Sequence, residues 1–199
     1  GQKGNSVDTI LRRLATGLTS DHTAPTGTVY FVTGDDVRSA CRQWQFPMAA
    51  KELAGLKVRA VTTNELPAGK TDVMGVMMGA STVDPSVLSY LPGSLAEHLT
   101  SAGAIFDSDN QTKLTAWIEA GATASAGAVC EPLAMWMKFP NARVYVHYAS
   151  GCTLIESLYQ SIRCPFQILL VGDPLAQPWA PRAKARLKGV DAGVASGKV

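Results

Sequence analysis

Two pairs of side chains in this sequence have types and spacing suited to nucleophilic chemistry. Cys152 directly precedes Thr153-Leu-Ile-Glu156, in which threonine and glutamate stand at capping-box spacing ahead of an apolar helical face. Amide dipoles at a helix start lower a thiol pKa, and His147 lies a few residues upstream at the expected end of a strand. That makes Cys152 and His147 the best nucleophile and base pair, although a small buried residue filling the turn is the simpler reading of Cys152. The second pair is His98 with Ser101, for which Glu131 is an available acid. Serine activation also needs an orienting acid and an oxyanion hole in place, and only the base is suggested here.

Two other stretches come close to motifs and miss. Gly69-Lys70-Thr71 ends like a phosphate-binding loop, but Asn64 stands where its first glycine belongs and a strand is predicted to follow in place of a helix. Thr123-Ala-Ser-Ala-Gly127 lacks the first glycine of a nucleophile elbow and lies within a predicted strand. Neither supports nucleotide binding or serine chemistry. Cys41, Cys130, Cys152 and Cys164 form no Cys-x-x-Cys pair and lack histidines at zinc-site spacing, so no structural metal and no cofactor is expected. Their number leaves free thiols or one or two disulfides open.

The elements that must position these residues follow from periodicity. Gly121-Ala-Thr-Ala-Ser-Ala-Gly-Ala-Val129 is a run of small residues suited to a central strand with helices packed close on both sides. Arg143-Val-Tyr-Val-His-Tyr148 alternates like a strand. The helix from Thr153 then yields to an apolar strand, Phe166 to Val171, stopped at Gly172-Asp173-Pro174. Upstream, Val7, Ile10, Leu11, Leu14 and Leu18 share one face of a helix capped by Ser6, expected to cover the sheet. Strands are predicted at Thr28 to Thr33, Val58 to Val61 and Asp72 to Met78, with a helix starting near Pro47 and ending near Gly55. The stretch from Pro92 to Gly103 reads either as a short helix boxed by Ser94 and Glu97 or as a strand. A further helix capped by Asp109 or Asn110 carries Leu114, Trp117 and Ile118 inward and stops at Gly121.

With 199 residues, 46% of them hydrophobic, the chain can bury one substantial core. The predicted fold class is α/β: a three-layer sandwich around a mainly parallel sheet, comprising an N-terminal amphipathic helix (1–19), an α/β domain (20–180) and a basic Gly/Ala-rich arm (181–199). The arm holds Arg182, Lys184, Arg186, Lys188 and Lys198 against Asp191 alone, a charge of +4 that leaves −2 for residues 1–180 of the total +2. No apolar run is long enough to span a membrane. The start at Gly1-Gln-Lys-Gly is that expected of a processed or trimmed chain. Trp136, Met137 and Phe139, in a Met-rich loop, are candidates for an exposed contact surface. The arm carries no interleaved aromatics, which argues against nucleic acid.

In order and spacing, several of these motifs resemble an uncharacterised bacterial family found in genomes that carry exosortase. They are Gly121 to Val129 with Glu131-Pro132, then His147-Tyr148, Gly151 to Glu156 and Val171 to Leu175, with Leu66 to Lys70 and Leu91 to Ser101 upstream. The small-residue strand and the Gly-Asp-Pro turn are also similar to the closing half of gingipain-type cysteine peptidases, which share the caspase fold. That resemblance implies a caspase-like or gingipain-like sandwich and a catalytic histidine and cysteine at the ends of successive strands. Those ends fall at Thr62 to Asn64 with Gly79 to Thr82, or at Gly79 to Thr82 with Ser101 to Gly103. Neither register supplies a histidine or a cysteine. The expectation is therefore a non-catalytic scaffold or accessory subunit of a larger assembly. The resemblance implies a periplasmic or extracellular setting, with other protein subunits, membrane-associated ones included, as partners engaged through Trp136, Met137, Phe139 and the basic Arg182, Lys184, Arg186 and Lys188. The alternative is a hydrolase with displaced residues, Cys152 with His147 or Ser101 with His98.

Overall fold

Six strands, β1 (Thr28–Val32), β2 (Arg59–Thr63), β3 (Val73–Gly79), β4 (Tyr90–Leu99), β5 (Ala124–Ala128) and β6 (Ile168–Gly172), form one sheet in the order β2-β1-β3-β4-β5-β6. The computed structural model describes residues 6–182. The first five strands are parallel, and β6 closes the sheet antiparallel to β5, with Ser125 opposite Val171. The helices are α1 (Val7–Ser20), α2 (Val37–Ala40), α3 (Phe46–Gly55), α4 (Leu114–Glu119), α5 (Val144–Ala149) and α6 (Leu154–Ser161). The result is a three-layer α/β sandwich with its apolar core divided by the sheet.

One face of the sheet, through Val29, Phe31, Met77, Leu95 and Ala124, packs on Phe46, Ala49 and Leu53 of α3 and on Val144, Tyr145 and Tyr148 of α5. The other face, through Tyr30, Val32, Val76 and Ala96, packs on Trp117 of α4. Full burial of β1, β3 and β5 explains why they read as continuous apolar or small-residue runs. β5 is flanked by strands on both sides but lies next to the sheet edge, not at its centre.

Two further expectations are corrected, and one left open is decided. Arg143 to Tyr148 is helix, not strand: Val144, Tyr145 and Tyr148 converge on the core at helical spacing while Arg143 turns outward. With apolar residues at nearly every position the segment fits both periods, and packing decides. Pro92 to Leu99 belongs to β4, so Ser94 and Glu97 point to opposite faces and box no helix. The register between β3 and β4 shifts over Leu91 to Ser94, where Gly93 adopts a φ of 86°. Finally, α1 does not bury its apolar stripe. It sits on the body through Arg13, Thr16, Gly17 and Ser20, while Val7, Leu11 and Leu18 face outward and Ile10 and Leu14, partly exposed, line a cleft against Ile118 of α4 and Val171 of β6. Gly17 is required there, because a Cβ would lie 2.0 Å from a carboxylate oxygen of Asp173.

The capping box at α6 is present. The Glu156 carboxylate accepts from the Thr153 backbone N–H at 2.8 Å, and the Thr153 hydroxyl accepts from the Glu156 N–H at 3.4 Å. Thr153→Ala is expected to lower stability by about 1 kcal/mol, read as a shift in the urea midpoint with unchanged slope.

Candidate functional site

Parallel α/β sheets bind ligands beyond the carboxyl ends of their strands, so that end of β3 and β4 is the first place to look. These strands are neighbours, which selects Gly79 to Thr82 and Ser101 to Gly103 as the positions a caspase-like dyad would occupy. No histidine or cysteine stands at either. Instead the Ser39 hydroxyl donates to the Gly79 carbonyl at 2.7 Å and docks α2 on the end of β3.

His98 lies just inside this end, but both of its ring nitrogens are engaged. Nε2 is 2.9 Å from the Ala80 carbonyl, and the Trp117 indole donates to Nδ1 at 3.4 Å. This pattern sets the tautomer with the proton on Nε2 and leaves no lone pair for Ser101. Burial holds the imidazole neutral, with its pKa lowered to about 4. Ser101 sits in the turn beyond the strand, half-buried. The geometry therefore keeps His98 from acting as its base.

Cys152 and His147 are close along the chain, and the Cys152 N–H donates to the His147 carbonyl at 3.3 Å. They lie, however, at the opposite end of the sheet. Tyr148 donates to the Gly93 carbonyl at the start of β4, and Leu154 donates to Ala176 beyond the end of β6. The Cys152 sulfur accepts from the Gln160 amide at 3.5 Å. Burial, then the Arg143 guanidinium, push the His147 pKa below its ordinary value. All four cysteines are free thiols. Among the described residues no cluster of histidine, cysteine or carboxylate could hold a metal ion.

What fills the carboxyl end of the sheet is a buried ion pair. Arg42, in the turn after α2, contacts Glu97 of β4 through Nη1, and both side chains are almost wholly buried. The same guanidinium donates to the carbonyls of Met78 and Pro140, tying β3 and the β5–α5 connection to the turn before α3. Burial raises the Glu97 carboxyl to about 7 even though Arg42 opposes the shift. Glu97 was legible as an anomaly, a charged residue at a core-facing position of the Leu95-Glu97-Leu99 alternation. Arg42 carries no such mark.

Of the contact residues expected in the Met-rich loop, Phe139 is buried against Leu99 and Ala128 and belongs to the core. Trp136 and Met137 are half-exposed. Trp136 meets Trp44 edge to face at 5.6 Å, and the Arg163 guanidinium lies over it at 5.2 Å. Arg182 is exposed, whereas Lys184, Arg186 and Lys188 lie outside the described residues, as does the rest of the basic arm. No helix among the described residues is long and apolar enough to cross a membrane.

A scan against protein-family models, a search of curated proteins and a search of solved structures each find no match to this chain.

Proposed function

We propose that this chain is a non-catalytic accessory or scaffold subunit of a larger protein assembly, its body a caspase-like or gingipain-like sandwich that has given up peptidase chemistry. The observation that carries this reading is the inverted placement of α1. A helix held on its body through Arg13, Thr16, Gly17 and Ser20, with Val7, Leu11 and Leu18 each more than half exposed, offers a contiguous apolar face to something outside the chain. The ends of β3 and β4 support it further, since a gingipain-type dyad needs histidine and cysteine there and finds glycine, alanine, serine and threonine. The partner is another protein subunit, and the resemblance that suggests the fold also suggests an extracytoplasmic setting, with no nucleotide and no nucleic acid involved.

The protein isolated from its own cells under gentle conditions is expected to travel in a complex of defined mass, well above the 21.0 kDa of the chain. Leu11→Asp should release it, because placing an unpaired carboxylate in an apolar contact weakens binding by about tenfold or more. Monomer alone in native mass spectra, with Leu11→Asp making no difference, would overturn the reading.

A further inference from the structure

On the helical layer opposite α4, three connections converge on a groove of about 190 Å³. Its apolar walls are Trp44 and Met48, at the start of α3, and Trp136, in the loop after β5. Trp44 and Met48 are well exposed, and Trp44 is fixed by its indole N–H donating to the Cys41 carbonyl at 3.1 Å. Its polar rim is cationic. Arg163 lies across Trp136 with no carboxylate in ion-pair reach among the described residues, and Arg143 is paired only with the half-buried Glu52 at 3.2 Å.

A further donor also lacks an acceptor. Gln45 lines the groove, is only 9% exposed, and its Oε1 accepts from the Ala142 N–H at 2.9 Å. That bond fixes the amide orientation, and Nε2, the remaining end, is itself shut off from solvent and has no acceptor. A buried amide left unpaired costs on the order of 1–3 kcal/mol. Asn141, also in the lining, is engaged at both ends of its amide: it donates to the Ser161 carbonyl and accepts from the Arg143 N–H.

We propose that this groove docks an acidic peptide segment, seating an aromatic or aliphatic side chain between Trp44, Met48 and Trp136 and a neighbouring aspartate or glutamate carboxylate against Arg163. Tryptophan and arginine are the residue types that dominate protein contacts, and a planar guanidinium pre-set on an aromatic face loses little freedom on engaging a carboxylate. The volume suits one large side chain, not a folded domain. A nucleic-acid strand fits less well, because tracking a phosphate backbone takes a basic path and only two arginines flank this groove. The inference rests on the reading of this chain as a docking subunit. It uses the layer opposite α1, so Leu11→Asp leaves it untouched and the two tests fail separately.

The test is selection from a random hexapeptide library on the immobilised protein, with Arg163→Gln and Trp44→Ala as parallel baits checked for unchanged thermal midpoint. The retained peptides should carry a carboxylate beside a bulky apolar residue. Replacing that carboxylate by its amide, or Arg163 by glutamine, should each weaken binding by about tenfold, the loss of one charge-assisted hydrogen bond. Retention equal on wild type and both variants, retained peptides without carboxylates, or displacement of the peptide by a thymidine oligonucleotide would each overturn the proposal.

Discussion

Arg42→Met is expected to destabilise this protein by about 3–5 kcal/mol at pH 8. The variant keeps most of the aliphatic bulk but leaves Glu97 in the core with no counter-charge, and it removes the donors to Met78 and Pro140. An unpaired buried carboxylate relieves itself by taking up a proton, so the loss should shrink toward pH 5. Replacing both partners, Arg42→Met with Glu97→Met, should recover most of the stability, because a buried ion pair often does no better than apolar side chains of the same volume. Urea midpoints for the four proteins of this cycle decide the matter. A loss below about 1 kcal/mol in the single variant would mean that the pair does not hold the sheet end together.

The same cluster shows where sequence reasoning stops. Order and type of most elements are legible because burial imposes period: β1 and β3 are apolar throughout, and Thr153 with Glu156 mark the start of α6 before any coordinate is known. Arg143 to Tyr148 is misread because its apolar residues satisfy both a strand and a helix, and the choice falls to contacts with β3 and β4 that lie 69 and 50 residues away in sequence. For α1 the periodicity identifies the apolar stripe correctly but not which way it turns. That depends on Asp173, which leaves room only for Gly17 at the contact. The chemistry-bearing pairs fail for a related reason. Proximity in sequence placed Cys152 beside His147, yet the sheet sets both at the strand ends where a ligand is not expected, and His98 is committed to partners, Ala80 and Trp117, that spacing alone does not reveal. The groove residues Trp44, Trp136 and Arg163 come from three connections, and nothing in one dimension brings them together.

Glu97 also sets the expected pH dependence of stability. Its carboxyl titrates near 4.5 when unfolded and at about 7 when folded, so between these values the native state holds a proton that the unfolded chain has released. The contribution is present below pH 4.5 and is lost as pH rises through 7. At ~1.4 kcal/mol per pH unit the loss amounts to about 3 kcal/mol. His98 acts in the other direction: its folded pKa is lowered to about 4 from 6.5, so its contribution is present above pH 6.5 and lost as pH falls through 4. The wild-type profile therefore mixes two opposed slopes, and Glu97→Gln separates them, because it keeps the shape of the side chain and cannot titrate. The stability of wild type minus that of Glu97→Gln should fall by about 3 kcal/mol between pH 4 and pH 8, with most of the change above pH 5. A difference that stays flat across that range would show that Glu97 keeps an ordinary pKa in the folded protein, and that Arg42 compensates its burial in full.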